Sequence, residues 1–548
     1  GYVADGQTTV TRYNVDYFLS GDKDLSKDFS IKYIAGGMIR KNTVKDINLG
    51  GNNLLVPALY NVSVKSGDAN VPTAPFNNFK SVSALLSAYG SFGISYKGWA
   101  NVEVTGRNDW DSRLNEDNRS FFYPAVNASL VLSDAIGALK TSNKISYLKL
   151  RAAVSKSGNV NLAPYATKAT YSQPNGFPYG NIGGFTANGT IPSENLKPEF
   201  VNTTEFGAEL GLFKNRINLE ASYFDQKNTN QVLLITRSIT TGYTSELANA
   251  ADFRNYGVEM DLAITPLIRM RKGSINFKIN ATYNNNEVTS TLGNVPVVLA
   301  GTNAFTQISA SSPTVNNIAV VGGPAFQFQL TDYNRDPATG KVIVDPVTGY
   351  PSISPALVTT GRTLPLWVVG LTPSYTIGNF AITMTWDYKG GHNFYSGLGS
   401  DMDFAGISER SASYGRERFV FPNSVYLEDG KYVPNTNIQV QDGNYGFWTG
   451  GSTNTSIATN YYASAAAWRL RELNISYTLP SSLFGKQSFF KKATVSVVGK
   501  NLFLFVPKSN QWGDPEFNFN AVGNTFGVAS SFQSPASRLF GGSITLQF

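Results

Sequence analysis

Residues 274–283 have the sequence SINFKINATY, in which polar and apolar side chains alternate without interruption. Successive side chains of a β-strand point to opposite faces of its sheet, so this stretch predicts a strand with one apolar and one polar face. The same alternation occurs in three further stretches, 216–224, 256–264 and 380–388. We therefore expect an all-β protein whose sheet separates an apolar environment from a polar one.

Weaker alternation extends this prediction over most of the chain. It raises the total to about sixteen strands, the others being 11–20, 29–38, 83–97, 99–107, 121–132, 147–156, 203–213, 229–238, 367–377, 467–479, 493–504 and 537–548. Tight turns at Lys214-Asn215 and Gly378-Asn379 join some neighbours. Other connections are long and rich in Gly, Asn, Ser and Thr, namely 39–80, 157–202, 287–366 and 390–466. Nothing between these loops resembles a linker, so 1–548 is predicted to be one domain.

The composition excludes several classes of protein. The chain has 548 residues, of which 42% are hydrophobic and 15% charged, and it contains no Cys. This apolar content excludes intrinsic disorder, and the lack of Cys excludes a disulfide scaffold. No window approaches the roughly 18 to 20 consecutive apolar residues of a membrane-spanning helix. The net charge of +7 has no Lys/Arg-rich block behind it, which gives little support to nucleic-acid binding but permits weak attraction to anionic lipid or lipopolysaccharide.

A transmembrane antiparallel β-barrel explains the alternation together with the unequal connections. Hydrocarbon offers the backbone no water, so a sheet that spans a membrane must close on itself, with apolar side chains towards lipid and polar ones towards the lumen. Outer-membrane barrels combine short periplasmic turns with long extracellular loops. Aromatic residues near strand ends fit girdles at the headgroup level, although aromatic residues favour strands in general: Tyr96, Trp99, Tyr223, Trp386, Tyr388, Trp468 and Tyr477.

The C-terminus supports an outer-membrane location. Phe540, Ile544, Leu546 and Phe548 lie on alternate positions of the last predicted strand, and Phe548 is the terminal residue. This arrangement resembles the signal that barrel-assembly machinery recognises in outer-membrane proteins. A soluble sheet protein could also end this way by chance.

Several blocks, in order, resemble the SusC/RagA-like family of TonB-dependent outer-membrane transporters. They are spread over most of the chain and include LKPEFVNTTEFGAELGLFKNRINLEASYFDQKNTNQV at 196–232, RNYGVEMDLAITP at 254–266, WRLRELNISYTLP at 468–480, VSVVGKNLFLF at 495–505 and GDPEF at 513–517. GRNDWDSRL at 106–114 and FFYPAVNASLVLSD at 121–134 resemble an earlier block. Each block also has a plain structural interpretation: Asn255 and Gly257 could set local turn or bulge geometry, and Pro198 and Pro480 lie where strands start or stop.

The resemblance implies active import of an oligosaccharide or peptide. It also implies a SusD-like lipoprotein over the extracellular loops, and energy from TonB–ExbB–ExbD acting on an N-terminal segment. The family's barrel has about 22 strands, a size class whose lumen is plugged. Because residues from Tyr2 to Ala35 already resemble mid-barrel sequence, we expect the C-terminal part of such a barrel, without plug, TonB box or first strands. The alternatives are a complete porin of roughly 16 to 18 strands, a docking or scaffold subunit, and a secreted adhesin.

No enzyme constellation is evident, so no catalytic residue is predicted. The single His392, in GGHNF at 390–394, is interpreted as a solvent-exposed or loop-packing residue. Asp332, Asn334 and Asp336 have the i, i+2, i+4 spacing of Ca²⁺ ligands, but Pro337 and Ile343 replace the expected Gly and Glu of that loop type. An ordinary turn with Asx caps is the favoured interpretation, and DMD at 401–403 is a weaker candidate. Apart from such a structural Ca²⁺, no cofactor is expected.

Four aromatic residues of the long loops could stack on sugar rings or line a peptide cleft: Tyr414, Tyr445, Phe447 and Trp448. Each could equally pack against a surface lipoprotein or against the others.

Overall fold

The computed structural model describes residues 2–52, 56, 58–61, 77–172, 182–300, 313–450, 454–485, 489–516, 527–529, 534 and 536–548. Among these residues the main element is a sixteen-stranded sheet, made of fifteen longer strands and the two-residue strand Thr190–Ile191. The longer strands are β1 (Tyr2–Asp24), β2 (Phe29–Asn52), β3 (Asn77–Tyr96), β4 (Ala100–Asp111), β5 (Ser120–Val131), β6 (Ile145–Asn159), β7 (Glu199–Leu212), β8 (Ile217–Thr236), β9 (Ser245–Met270), β10 (Gly273–Thr291), β11 (Trp367–Ile377), β12 (Phe380–Gly390), β13 (Ala467–Thr478), β14 (Lys492–Phe505) and β15 (Leu539–Gln547).

Neighbours in the sheet follow chain order from β1 to β15. Consecutive strands therefore pair in an up-and-down antiparallel arrangement, as the alternation predicts; Thr190–Ile191 adds a short parallel pair at the start of β9. The connections alternate in length along the chain. Short turns such as 97–99, 271–272 and 378–379 alternate with long connections such as 292–366 and 391–466. This is the layout of an outer-membrane barrel.

The chain divides into two compact units. Unit 1 comprises Gly1–Ala135, Leu150–Phe206 and Asp225–Phe253, and unit 2 comprises Ile136–Lys149, Gly207–Phe224 and Arg254–Phe548. In unit 1, one row of apolar side chains crosses four neighbouring strands in register: Tyr33, Phe92, Val104 and Val126. These side chains are 40–49% exposed, although each is apolar. Large apolar side chains in such a row indicate a face that meets lipid.

The first strands of unit 1 are longer than the sequence pattern predicts. β1 and β2 have 23 and 24 residues, whereas about 9 to 11 tilted residues cross a bilayer. They pair residue for residue from Tyr2 opposite Asn52 to Asp24 opposite Ser30. The predicted loop 39–80 is therefore too long, because β2 continues to Asn52 and β3 begins at Asn77. Backbone pairing continues where the side chains no longer alternate between apolar and polar.

A second correction concerns β8. The stretches 216–224 and 229–238 were predicted as two strands, but they form one strand, Ile217–Thr236. The polar run between them hides this continuity. Asn230 has a left-handed backbone with φ of 60°, and its N–H donates to Asp252 Oδ1 at 2.8 Å. The Asp252 side chain thus accepts the hydrogen bond of the distorted backbone at Asn230, and the strand continues through it.

In unit 2, aromatic pairs mark both ends of strands. Phe380 and Tyr477 lie opposite each other beside the short turn 378–379, with ring centroids 4.5 Å apart. Tyr388 and Trp468 form the corresponding pair at the other end, at 4.9 Å. Tilted aromatic pairs at this spacing add stabilisation beyond their buried area. Their placement agrees with the predicted girdles.

The close approach of two strands explains one block of the sequence. A Cβ on Gly257, in β9, would collide with the carbonyl oxygen of Tyr283 in β10. Glycine is therefore required here by the close approach of the β10 backbone, which is a different role from the turn or bulge geometry expected from the sequence.

The terminal strand β15 pairs with β14 without a register shift, from Lys500 opposite Leu539 to Lys492 opposite Gln547. Phe540, Ile544 and Phe548 are 69–76% exposed, and Leu546 is 45% exposed. Phe548 also stacks on Phe489 of the connection between β13 and β14, with ring centroids 5.3 Å apart. The apolar residues of the proposed assembly signal thus lie on an accessible strand, and their role in assembly stays a prediction.

The helices are short. They are α1 (Leu132–Ala135), α2 (Gly137–Lys140) and α3 (Gly397–Phe404), with 3₁₀ or π turns at Ile239–Thr241, Leu292–Asn294, Arg410–Arg416, Gly446–Gly450, Asn454–Ser456, Ala458–Tyr461 and Ser481–Leu483. Within the described ranges, no helix combines the length and the apolar character needed to cross a membrane. A small hairpin, Tyr171–Ser172 with Thr186–Ala187, lies between β6 and β7.

Candidate functional site

Three long connections of unit 2 fold together into one body, which we call the loop unit: the described residues of 292–366, 391–466 and 506–538. Its short strands are Val297–Ala300, Val315–Ala319, Gln327–Leu330, Val342–Ile343, Val358–Thr360, Asn393–Ser396, Ser424–Glu428, Lys431–Pro434, Tyr462–Ser464 and Val528–Ala529. Two parallel pairings cross from one connection to another, Val342–Ile343 with Ser424 and Val425, and Tyr395 and Ser396 with Val528–Ala529. The connections are therefore joined by backbone hydrogen bonds.

The loop unit also has its own hydrophobic core. The core draws side chains from all three connections, and each is at most 2% exposed: Val315, Phe328, Leu330, Tyr395, Ala458, Tyr461 and Val528. Trp512 and Tyr462 pack against this cluster. A shared, closely packed core favours one arrangement of the three connections over independent movement. The surface that this unit presents is thus preorganised.

A charge pair with a buried carboxylate lies beside this core. Asp403 of α3 is fully buried and accepts from Arg410 Nη2 at 2.8 Å, from Ser408 at 2.5 Å and from the Tyr461 hydroxyl at 3.0 Å. The Arg410 guanidinium also lies 5.4–5.6 Å from the rings of Trp448, Tyr461 and Trp512, within cation–π range. Burial and the Asp403 carboxylate raise the pKa of Tyr461 well above its ordinary value. The pair therefore joins α3 to later parts of its own connection and, through Trp512, to the third connection.

The four predicted ligand aromatics divide into two exposed and two buried residues. Tyr414 and Tyr445 are 55% and 66% exposed, whereas Phe447 and Trp448 are 2% and 8% exposed. Tyr414 stacks on Phe419 at 4.4 Å between centroids, and Phe419 in turn contacts Phe447 at 5.1 Å. The structure thus brings Tyr414, Phe447 and Trp448 into one aromatic cluster, while Tyr445 remains at the surface. A ligand role for these residues stays a prediction.

The three candidate Ca²⁺ ligands take part in turn contacts. Asp332 accepts two hydrogen bonds from Arg335 and one from Thr459 at 2.7–3.1 Å. Burial opposes ionisation of Asp332, but the bonds from Arg335 and Thr459 keep its pKa below the ordinary value. Asp336 caps its own turn through the N–H of Ala338 and the hydroxyl of Thr339, which lowers its pKa. Asn334 lies between them, where its N–H donates to the Ser352 carbonyl. The described part of the chain shows no group of three or more His, Cys, Asp or Glu placed to hold a metal.

His392 lies where β12 enters the loop unit. Its carbonyl accepts from the Ala465 N–H at 2.9 Å, and the residue is half-buried. Burial, together with the charges of Lys389 and Arg469, lowers the pKa of His392 to about 4, so the imidazole is neutral at pH 7. His392 is thus a loop-packing residue, one of the two interpretations of the sequence.

A β-bulge in β13 presents an arginine to the polar side of the sheet. Leu470 pairs with Trp386 and Glu472 with Thr385, so Arg471 has no partner opposite it in β12. The pairing with β14 shifts at the same point, where Asn501 has φ of 53°. Such bulges change the direction of a side chain. Here Arg471 and the next residue, Glu472, both lie on the polar side of the sheet. The interruption of the polar–apolar alternation is visible in the sequence WRLRELNISY, where two polar residues, Arg471 and Glu472, are adjacent.

Arg471 belongs to an ionic cluster that joins the sheet to the third connection. Its guanidinium makes two hydrogen bonds of 2.8 Å to Asp387 of β12 and one of 2.7 Å to Glu516. Glu516 also accepts from Lys389 at 2.7 Å. Arg469, 4% exposed, pairs with Asp514 and lies 3.6 Å from Glu516. Three cations thus meet three carboxylates, so the cluster is neutral as a whole.

Opposing influences act on the pKa of Glu516 in this cluster. Burial favours the protonated carboxyl, yet hydrogen bonds from Lys389 and Arg471 lower the pKa of Glu516 to about 2. A cavity of about 420 Å³ lies on one side, lined by Arg469, Arg471, Arg538 and Glu516 among others. Sequence reasoning noted WRLRELNISYTLP and GDPEF only as family blocks and missed this cluster. The shift of alternation at Arg471-Glu472 is the signal that could have revealed it.

Comparison with known proteins agrees with this architecture. Residues 1–383 match the family described as "TonB dependent receptor-like, beta-barrel". TonB-dependent receptor P26 of Formosa agariphila is 24% identical over 499 residues, which cover 85% of this chain and 46% of that protein. TonB-dependent receptor SusC of Bacteroides thetaiotaomicron is 25% identical over 217 residues, or 38% of this chain and 21% of SusC.

A solved structure of the RagAB peptide transporter has the same fold. It superposes with a TM-score of 0.77 and 18% identity, covering all of this chain and 56% of the other. The chain thus spans about half the length of the relatives that it matches. The family match, the SusC and Formosa relatives and the fold together assign the chain to the SusC/RagA-like group in the outer membrane of Bacteroidota. The chain belongs to the β-barrel family of TonB-dependent receptors.

Proposed function

We propose that this chain supplies barrel strands and extracellular loops to an outer-membrane importer of oligosaccharides or peptides. The observation that carries the proposal is the match of residues 1–383 to the barrel family. The sheet separates a lipid-facing row from a polar side, and the loop unit forms a preorganised surface. Neither feature requires covalent chemistry, so we propose a transporter and not an enzyme.

The proposed partners follow from the same family. A SusD-like lipoprotein would close over the loop unit, and TonB–ExbB–ExbD would supply energy through the whole protein. Outer-membrane lipid and lipopolysaccharide would contact the apolar row. Peptide cargo is supported by the shared fold with the RagAB peptide transporter; oligosaccharide cargo rests on the resemblance to SusC.

Uptake by living cells tests the proposal. A strain that lacks the gene is compared with one that carries it, using defined peptide and oligosaccharide mixtures, each with and without an intact TonB system. Import predicts TonB-dependent loss of one cargo class from the medium only when the gene is present. Uptake that is unchanged by the deletion would contradict import; loss of an outer-membrane complex in that same strain would favour a scaffold role.

A further inference from the structure

We propose that residues Asn510–Glu516 of the third connection form a strap that couples the rest of the loop unit to strands β12 and β13, and that Arg471 is the positioning residue that holds it. The inference goes beyond import, because it concerns how the loops are fixed to the barrel strands, whatever cargo they serve. We call the fifteen longer strands β1–β15 the wall. It rests on contacts at the two ends of the strap, which differ in chemistry. One end is aromatic, and the other is ionic.

The strap has a preformed shape. Asn510, 6% exposed, accepts from the Trp512 N–H at 3.0 Å and donates to the Gly513 carbonyl at 2.8 Å. Gly513 has φ of 117°, a conformation that strongly favours glycine. Beyond it, Asp514 accepts from the Glu516 N–H at 2.9 Å. These local bonds fix the direction in which Trp512 and Glu516 project.

The aromatic end is embedded in the loop unit. The Trp512 ring lies 5.5 Å from that of Tyr461 and 5.6 Å from the Arg410 guanidinium. Gly399 of α3 provides the space, because a Cβ there would approach the Trp512 ring to 2.9 Å. A tryptophan fitted against a half-buried cation and a tyrosine is a strong apolar anchor. This end ties the strap to the second connection.

The ionic end of the strap forms ion pairs with strands β12 and β13. Glu516 reaches both Lys389 of β12 and Arg471 of β13, while Asp514 reaches Arg469 of β13. Arg471 contacts Asp387 and Glu516 together, because the bulge sets its guanidinium between the wall and the strap. Planar guanidinium groups suit two carboxylates better than an ammonium group does. Loss of Arg471 would leave two partly buried carboxylates without their shared partner, so the ionic end should open.

Hydrogen–deuterium exchange of the full-length protein in detergent tests the strap. The variants are Arg471→Gln, Arg471→Lys, Glu516→Gln and, as matched control, Arg237→Gln, which removes the 2.6 Å pair to Glu246. We expect Arg471→Gln to accelerate exchange in 510–516 at least tenfold, Arg471→Lys to accelerate it less, and Arg237→Gln to leave it unchanged. The double variant Arg471→Gln/Glu516→Gln should exceed neither single variant by more than about twofold, because both remove the same contact.

Two results would overturn the strap. One is exchange in 510–516 that stays within twofold of the native rate in both Arg471→Gln and Glu516→Gln. The other is acceleration spread equally over β12, β13 and β14, which would make Arg471 a plain stabiliser of the wall. If Arg471→Gln does not assemble into a heat-modifiable barrel, Glu516→Gln alone decides, since Glu516 is outside the strands. Failure of import in cells would not affect these readouts.

Discussion

The wall and the loop unit use the same residue types in opposite ways. In the wall, Phe92 and Val104 point outwards from β3 and β4 and are 47% and 49% exposed. In the loop unit, Phe328, Tyr395 and Tyr461 are fully enclosed. The wall meets hydrocarbon, which rewards apolar side chains on the outside, whereas the loop unit meets water and must bury them. The same chain thus directs its apolar side chains towards lipid in the wall and into a closed core in the loop unit.

The difference shows which interactions set stability in each region. Wall strands are defined by backbone pairing over consecutive neighbours, from β1 to β15. The loop unit has mostly short strands of two to five residues and depends on side-chain packing. Truncation of an apolar side chain should therefore cost more in the loop unit than in the wall.

Matched Phe→Ala substitutions test this contrast with the largest expected effect. Phe328→Ala leaves a cavity in a core that lies between three connections and should cost about 3–5 kcal/mol of local stability. Phe92→Ala removes contacts with lipid, which refills the space, and should cost much less. Hydrogen exchange of the loop unit and of β3 measures both effects. Equal costs at the two positions would mean that the loop unit is not a packed body.

Charge placed on the wall tests its lipid-facing row. Val104→Arg places a guanidinium in the row with Phe92 and Val126, where an arginine at the membrane midplane costs about 2–4 kcal/mol. Glu103→Arg is the control, because the adjacent side chain points to the other face of the same strand. We expect a lower amount of assembled barrel for Val104→Arg only, measured by heat-modifiable migration of outer-membrane fractions. A deficit confined to Glu103→Arg would reverse the assigned faces.

The sequence predicts the wall better than the loop unit, because the wall follows from local alternation and the loop unit depends on contacts between distant residues. The period of two in SINFKINATY follows from strand geometry, so the wall, its antiparallel order and its turns were predicted. Asn230 and the polar ends of β2 and β3 concealed strand length, because backbone pairing there does not depend on apolar side chains. The burial of Phe447 and Trp448 required contacts between distant parts of the chain. Arg471 and Glu516 lie 45 positions apart, and local periodicity does not show that they meet.

The boundary between the regions gives the smallest predicted effect, a pH dependence. The pKa of His392 is about 4 in the folded protein against 6.5 for the free side chain, so the opened state binds a proton first as the pH falls. Stability around residues 391–394 should fall between pH 6.5 and pH 4, by about 2 kcal/mol between pH 7 and pH 5.

Glu516 provides the internal reference for this pH dependence. Its folded pKa of about 2 is below its ordinary 4.5, so its contribution is complete above pH 4.5 and is lost only as the pH falls towards 2. Between pH 7 and pH 5, the exchange rate relative to the intrinsic rate of an unprotected amide at the same pH should therefore rise at 391–394 and remain constant at 510–516. His392→Asn should abolish the acceleration at 391–394, since asparagine does not titrate. Acceleration that persists in His392→Asn would assign it to another group and would remove His392 as the pH-sensitive point between wall and loop unit.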